Sequence, residues 1–348
     1  MTLKYKLIFY SFIAYLLFTF SCKEHHPNRN IERSFYYWKS AFSLTDLEKN
    51  KLDSLGVKTI YLKFFDVVWD EQLHKALPVA PIKIVDSNFL ITDSIAVIPT
   101  VFITNECLQK IDSADAKILG ENIIGYIKTI IGKNNFYRIP EVQIDCDWTA
   151  ETREKYFSVL KTIKSLKPNA MLSATIRLHQ IKYLHKTGVP PVNRGLLMCY
   201  NMGNLKNPAT KNSIIENEEL KKYIGKLGNY PLPLDIALPL FEWNVLFRNN
   251  VYKGLMNDLS SDKLISISKV SGNRFEILQD TIFNGYELKK GDIIRNEKSD
   301  YKEIIAVAKS VNKELHNTGL KLSLFHLDSL TLSKYSTHEL ESIYNNMR

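Results

Sequence analysis

Two carboxylates stand two residues apart in Val142-Gln143-Ile144-Asp145-Cys146-Asp147-Trp148-Thr149. The stretch reads as a short buried strand, and a side-chain period of two sends Asp145 and Asp147 to the same side of its sheet. Like charges on one face of an apolar strand are costly to bury unless they are paired or used. The pair therefore points to acid–base work, to substrate binding, or to an internal ion pair with Arg177 or Lys63. Arg177 ends another apolar run, and a buried guanidinium needs an anionic partner: Asp145, Asp147 or an acidic group of a substrate. Glu242 lies between Phe241 and Trp243, where an unpaired carboxylate would be expensive. Asp145, Asp147 and Glu242 are thus the candidate catalytic acids, with Glu106, Asp66 and Asp328 behind them.

The elements that must position these groups alternate along the chain. Strand patterns cover Phe35–Phe42, Thr59–Val68, Ala96–Ile103, Glu141–Asp147, Leu172–Leu178, Leu196–Asn201, Leu234–Leu240 and Leu320–Leu327. Amphipathic helical spacing follows several of them, at Thr45–Leu55, Ile118–Ile131, Thr152–Leu166, Glu218–Leu227 and Tyr301–His316. Eight strands separated by helices predict an α/β fold, a (β/α)8 TIM barrel, because such alternation implies a parallel sheet with right-handed crossovers. A doubly wound open sheet is the rival, but no Gly-rich phosphate loop follows the first strand. The Pro-rich segment Asp70–Ser94 suits a hairpin better than a helix. Residues 244–300 are too long for one loop and read as a mostly β insertion after strand seven.

Barrel enzymes gather their chemistry at the C-terminal ends of strands. Those ends carry Lys63 and Asp66, then Asp145, Asp147 and Trp148, then Arg177 and His179. Tyr200 and Asn201 end strand six, Glu242 and Trp243 follow strand seven, and His326 and Asp328 follow strand eight. Trp148, Arg177, His179, Tyr200, Asn201, Trp243 and Asp66 are the expected substrate-binding set, with Trp38 as a further stacking surface. No His/Cys/Asp/Glu spacing supports a metal, no cofactor loop is present, and no nucleophile elbow favours an esterase.

Asp145-Cys146-Asp147-Trp148-Thr149 resembles the fourth-strand Asp-x-Asp-x-Glu motif of the family 18 glycoside hydrolases, the chitinase-type barrels. Met198-Cys199-Tyr200-Asn201 is similar to their sixth-strand Met-x-Tyr-Asp, and Leu238-Pro239-Leu240-Phe241 to the end of their seventh strand. The resemblance implies a barrel that acts on or binds carbohydrate, with the carboxylate at Asp147 orienting an acetamido group. Two departures stand out. Thr149 replaces the family's acidic Glu, and a threonine has no proton to give near neutral pH. Asn201 replaces the sixth-strand Asp.

Residues 1–21 have a basic start (Lys4, Lys6), an apolar run from Leu7 to Phe20 and a small residue, Ser21, before Cys22. This is the pattern of a secretory signal, and Phe18-Thr19-Phe20-Ser21-Cys22 resembles a bacterial lipobox. It predicts a lipidated Cys22, a polar tether over 22–33, and a barrel over 34–348 held on the extracytoplasmic side of an envelope membrane. The formal charge of +9 is dispersed over the chain. It shows no nucleic-acid signature and suits an anionic membrane or polysaccharide. Cys107, Cys146 and Cys199 read as buried thiols rather than ligands.

Overall fold

The structure, a computed structural model, describes residues 29–86, 95–134, 136, 138–256 and 264–348. The expected signal segment and Cys22 lie outside them. Eight parallel strands form the centre: β1 (Asn30–Tyr37), β2 (Thr59–Asp70), β3 (Ala96–Ile103), β4 (Glu141–Cys146), β5 (Met171–Arg177), β6 (Arg194–Met198), β7 (Leu234–Pro239) and β8 (Gly319–Phe325). Each pairs with its sequence neighbour, and β1 pairs with β8 from Asn30↔Gly319 onward, so the sheet closes. Closure leaves no free edge on the barrel.

Every second barrel residue points inward, and here many of those are polar. On β4, Val142, Ile144 and Cys146 face the helices while Glu141, Gln143 and Asp145 face the axis. Tyr36 on β1 donates across the axis to Gln143 at 2.5 Å, and Gln143 donates to Ser173 at 3.3 Å. Buried polar groups of this kind are tolerated because they find partners inside the barrel.

The outer layer holds α1 (Asp46–Ser54), α2 (Asp115–Asn134), α3 (Arg153–Leu166), α4 (Leu178–Lys182), α5 (Asn217–Ile224), α6 (Tyr301–Glu314) and α7 (Thr337–Asn345). Thr45 starts α1 with a capping box to Glu48, and Ser336 starts α7 with one to Glu339. Between β2 and β3 the described residues contain no helix. Lys75–Val79 instead folds back antiparallel on the end of β2, as the prolines of that segment lead one to expect.

After β7 the chain forms a separate antiparallel sheet of five strands, Glu242–Arg248, Val251–Met256, Ser268–Ser271, Arg274–Ile277 and Ile293–Lys298. It has its own small core of Leu246, Met256, Leu264, Phe275, Ile277, Leu288 and Ile294. The mostly β insertion thus begins two residues before the expected 244. One boundary moves further. Asn30–Arg33, expected within the tether, are the first half of β1, and Arg29 is buried with Nε donating to the Asn317 carbonyl at 2.7 Å. These residues sit at the barrel's rim, where polar side chains reach solvent, so the strand begins without an apolar signal.

Candidate functional site

Asp145 ends β4 on its inward face, buried, and accepts a hydrogen bond from Thr175 Oγ1 at 2.5 Å. Burial, with the Asp147 charge adding to it against the opposing pull of Arg177, pushes its carboxyl up to about 6. Asp147 lies one step further out, and Arg177 from the end of β5 grips it with two donors. Nε donates to Oδ1, and Nη2 donates to Oδ2 at 2.8 Å. A forked pair of this kind is strong and geometrically fixed. Burial alone would lower the Arg177 guanidinium, yet Asp147 and Asp145 outweigh it and hold it above its ordinary range. Arg177 therefore pairs with the outer of the two candidate carboxylates.

On the other side of the mouth, Lys63 and Asp66 from β2 form an ion pair at 2.7 Å. Lys63 also lies 5.7 Å from the centre of the Trp38 ring. The aromatic lining is continuous with this. Phe325, the last residue of β8, has its ring 5.3 Å from Tyr200, 5.6 Å from Tyr36 and from Phe241, and 5.9 Å from Trp38. Trp243 packs 5.3 Å from Phe241. Phe325 was not among the expected site residues. Its signal was the period of two along β8, where Lys321, Ser323 and Phe325 share the inward face.

Asp147, Arg177, His179, Asn201 and Trp243 of the expected set line one cleft at this mouth, joined by Gly203, Leu205 and Ser213. The cleft holds about 360 Å3. Asn201 turns the chain there with a left-handed φ of 52° and donates its amide to the Ile214 carbonyl at 2.7 Å. Tyr200 is buried just below, beside His179 and Asn201, and burial raises its phenol.

Three expected residues stand elsewhere. Trp148 is wholly buried on the helix side of the barrel, stacked 4.9 Å from Tyr156, with Nε1 donating to the Thr187 carbonyl at 3.0 Å. Its parity along the strand is that of Ile144 and Cys146, so it faces away from the mouth. Glu242 pairs with Lys334 at 2.7 Å, while its neighbour Trp243 takes the cleft side of the strand. Adjacent strand residues face opposite ways, so the structure does not bring Glu242 together with Asp147. Asp328 caps a short helix through the Thr331 amide at 3.1 Å and pairs with Lys39 at 2.7 Å. Thr149, in the place of the acid, accepts no proton duty: its amide donates to Thr152 Oγ1 at 2.9 Å. Cys107, Cys146 and Cys199 are buried free thiols. Among the described residues no group of three or more His, Cys, Asp or Glu is placed to share a metal ion.

No protein-family model and no curated protein matches the chain. Solved structures do. A chitinase from Chromobacterium violaceum aligns with a TM-score of 0.53 and 10% identity, over 91% of this chain and 98% of the other. A class V chitinase variant from Nicotiana tobaccum, in complex with NAG4, aligns at 0.53 with 10% identity, over 92% and 100%. The spore cortex-lytic enzyme SleL of Bacillus cereus aligns at 0.51 with 13% identity, over 92% and 75%. The fold is that of a chitinase-type barrel. As such a barrel it keeps a mouth lined by aromatic rings and paired charges. At that mouth Asp147 and Arg177 stand side by side in the cleft that Trp243 also lines.

Proposed function

We propose that this glycoside hydrolase-like barrel binds a glycan at its mouth and does not cleave it. One observation carries the reading: none of the candidate acids stands free in the cleft. Position 149 is threonine, Asp147 is held on both oxygens by Arg177, Asp145 is buried against Thr175, and Glu242 is turned to Lys334. Glycoside hydrolysis needs a proton donor at the scissile bond, and strand four carries Thr149 where that donor would stand. The partner in this reading is carbohydrate, recognised through Asp147, Arg177, His179, Asn201 and Trp243.

The same proposal places the barrel outside the cytoplasm, carried on an envelope membrane by a lipid on Cys22. The support is the basic-apolar-small-Cys order of residues 1–22. Glycan-array binding and reducing-end release from oligosaccharides, measured on the purified chain, test the first part. The expected result is saturable binding without released ends. Release that Asp147→Asn abolishes, or no binding to any glycan, would overturn it. Cell fractionation of Cys22→Ser tests the second part, which fails if the variant still sediments with membranes.

A further inference from the structure

The cleft's outer wall is not built by the barrel alone. Trp243 belongs to the first strand of the insertion, and Leu205 and Ser213 belong to the loop between β6 and α5. These pieces meet at one carboxylate behind the wall, Glu297, on the last insertion strand. Glu297 Oε2 accepts from Trp243 Nε1 at 2.6 Å and from Ser213 Oγ. Its Oε1 accepts from Arg295 Nε at 2.5 Å, and both side chains of that pair are fully buried. Arg295 passes the connection on, with Nη1 donating to the Asn207 carbonyl at 2.7 Å and Nη2 to the Leu205 carbonyl at 3.0 Å.

A buried ion pair contributes little net stability, because removing two charges from water costs about what their attraction returns. Hydrophobic residues of the same volume would hold the insertion to the barrel as well. A fixed direction is what the pair adds. An indole N–H in a packed site takes whatever acceptor it finds, and here one oxygen fixes the ring plane and the loop together. Neither Glu297 nor Arg295 lines the cleft, whereas Trp243, Leu205 and Ser213 all do.

We infer that Glu297 is a positioning residue that sets the Trp243 ring and the Leu205–Ser213 loop as one wall of the glycan cleft. The inference rests on the reading of the mouth as a glycan site, and its test separates the two. The full chain is labelled with 5-fluorotryptophan, and the Trp243 signal among four is identified by its loss in Trp243→Phe. In Glu297→Gln that signal shifts or broadens while those of Trp38, Trp69 and Trp148 stay. Binding of an N-acetylglucosamine tetramer weakens roughly tenfold or more, the usual cost of a lost hydrogen bond to a buried charge. In the Trp243→Phe background the same change leaves the Kd within about twofold, because the effect runs through the ring.

An unmoved Trp243 signal in Glu297→Gln, or losses that multiply in the double variant, would overturn the inference. Ser213→Ala keeps the ion pair whole and shifts the same signal by less. Should Glu297→Gln not fold, an unmoved signal in Ser213→Ala is equally fatal. A wild-type chain that binds no tetramer removes the glycan reading for that sugar, and the fluorine signals still decide the positioning role.

Discussion

The two ends of the barrel are built from the same ingredients and do opposite things with them. At the floor, Glu141 from the start of β4 accepts from Lys321 Nζ at 2.5 Å. Asp235 from the start of β7 accepts from Arg194 Nη2 and from the Lys321 amide, each at 2.7 Å. Both floor carboxylates are 1% exposed. At the mouth there are again carboxylates with a guanidinium and an ammonium, but the Asp147 and Arg177 side chains are 45% and 21% exposed beside an open cleft. Glu141 and Asp145 are even on the same face of the same strand, four residues apart. Inward carboxylates are therefore not a site by themselves. The end of the strand at which they sit, and whether their charge meets solvent, decides it.

The contrast predicts different costs for the same kind of damage. Glu141→Ala removes one member of a buried pair and leaves Lys321 uncompensated, so it should destabilise the chain by about 3–5 kcal/mol. Urea unfolding checks this, and a loss below about 1 kcal/mol would put the floor on a par with a surface pair. At the mouth the cost moves from stability to binding. Arg177→Ala leaves Asp147 wetted by solvent and should change the unfolding free energy by no more than about 1 kcal/mol. Tetramer binding should fall roughly tenfold or more, because the fork that orders Asp147 is gone. Calorimetry on the same samples reads both, and a variant that binds normally would reduce the mouth to a second floor.

The floor also carries its own pH signature. Burial holds Asp235 at about 6, against 3.8 for the free side chain, even though Arg194 and Lys321 pull it down. The folded chain thus binds that proton more tightly than the unfolded one. The resulting stability is fully present below about 3.8 and is lost as pH rises through about 6. Wild type should gain about 1 kcal/mol over Asp235→Asn between pH 7 and pH 5. A gap between the two that stays constant with pH would show that the floor holds Asp235 charged throughout.

Much of this was legible in the chain. Ala96–Ile103 is read to the residue, and β4, β5, β7 and β8 to within about two, because buried parallel strands are near-continuous apolar runs. The β1 start was hidden, since three of the four residues Asn30–Arg33 are polar and only Ile31 packs against the core. Within the site the misplaced residues were a matter of parity. Trp148 shares the phase of Ile144 and Cys146, so the period that put Asp145 inward also put Trp148 outward. Phe325 was passed over for His326 and Asp328, although it shares the phase of Lys321. What no local pattern encodes is pairing across the fold: Arg177 to Asp147 rather than Asp145, and Glu242 to Lys334.

That last pair gives the smallest effect and the sharpest division between the two readings of the mouth. Glu242 and Lys334 are 31% and 45% exposed, so their attraction is screened and worth at most about 1 kcal/mol. Because Glu242 occupies the strand face opposite Trp243, Glu242→Gln should leave tetramer binding within about twofold and stability within about 0.5 kcal/mol. A hydrolase that drew its acid from strand seven would behave differently, losing all turnover in the same variant while still binding. The variant that should do nothing is thus the one whose failure would restore catalysis to the mouth.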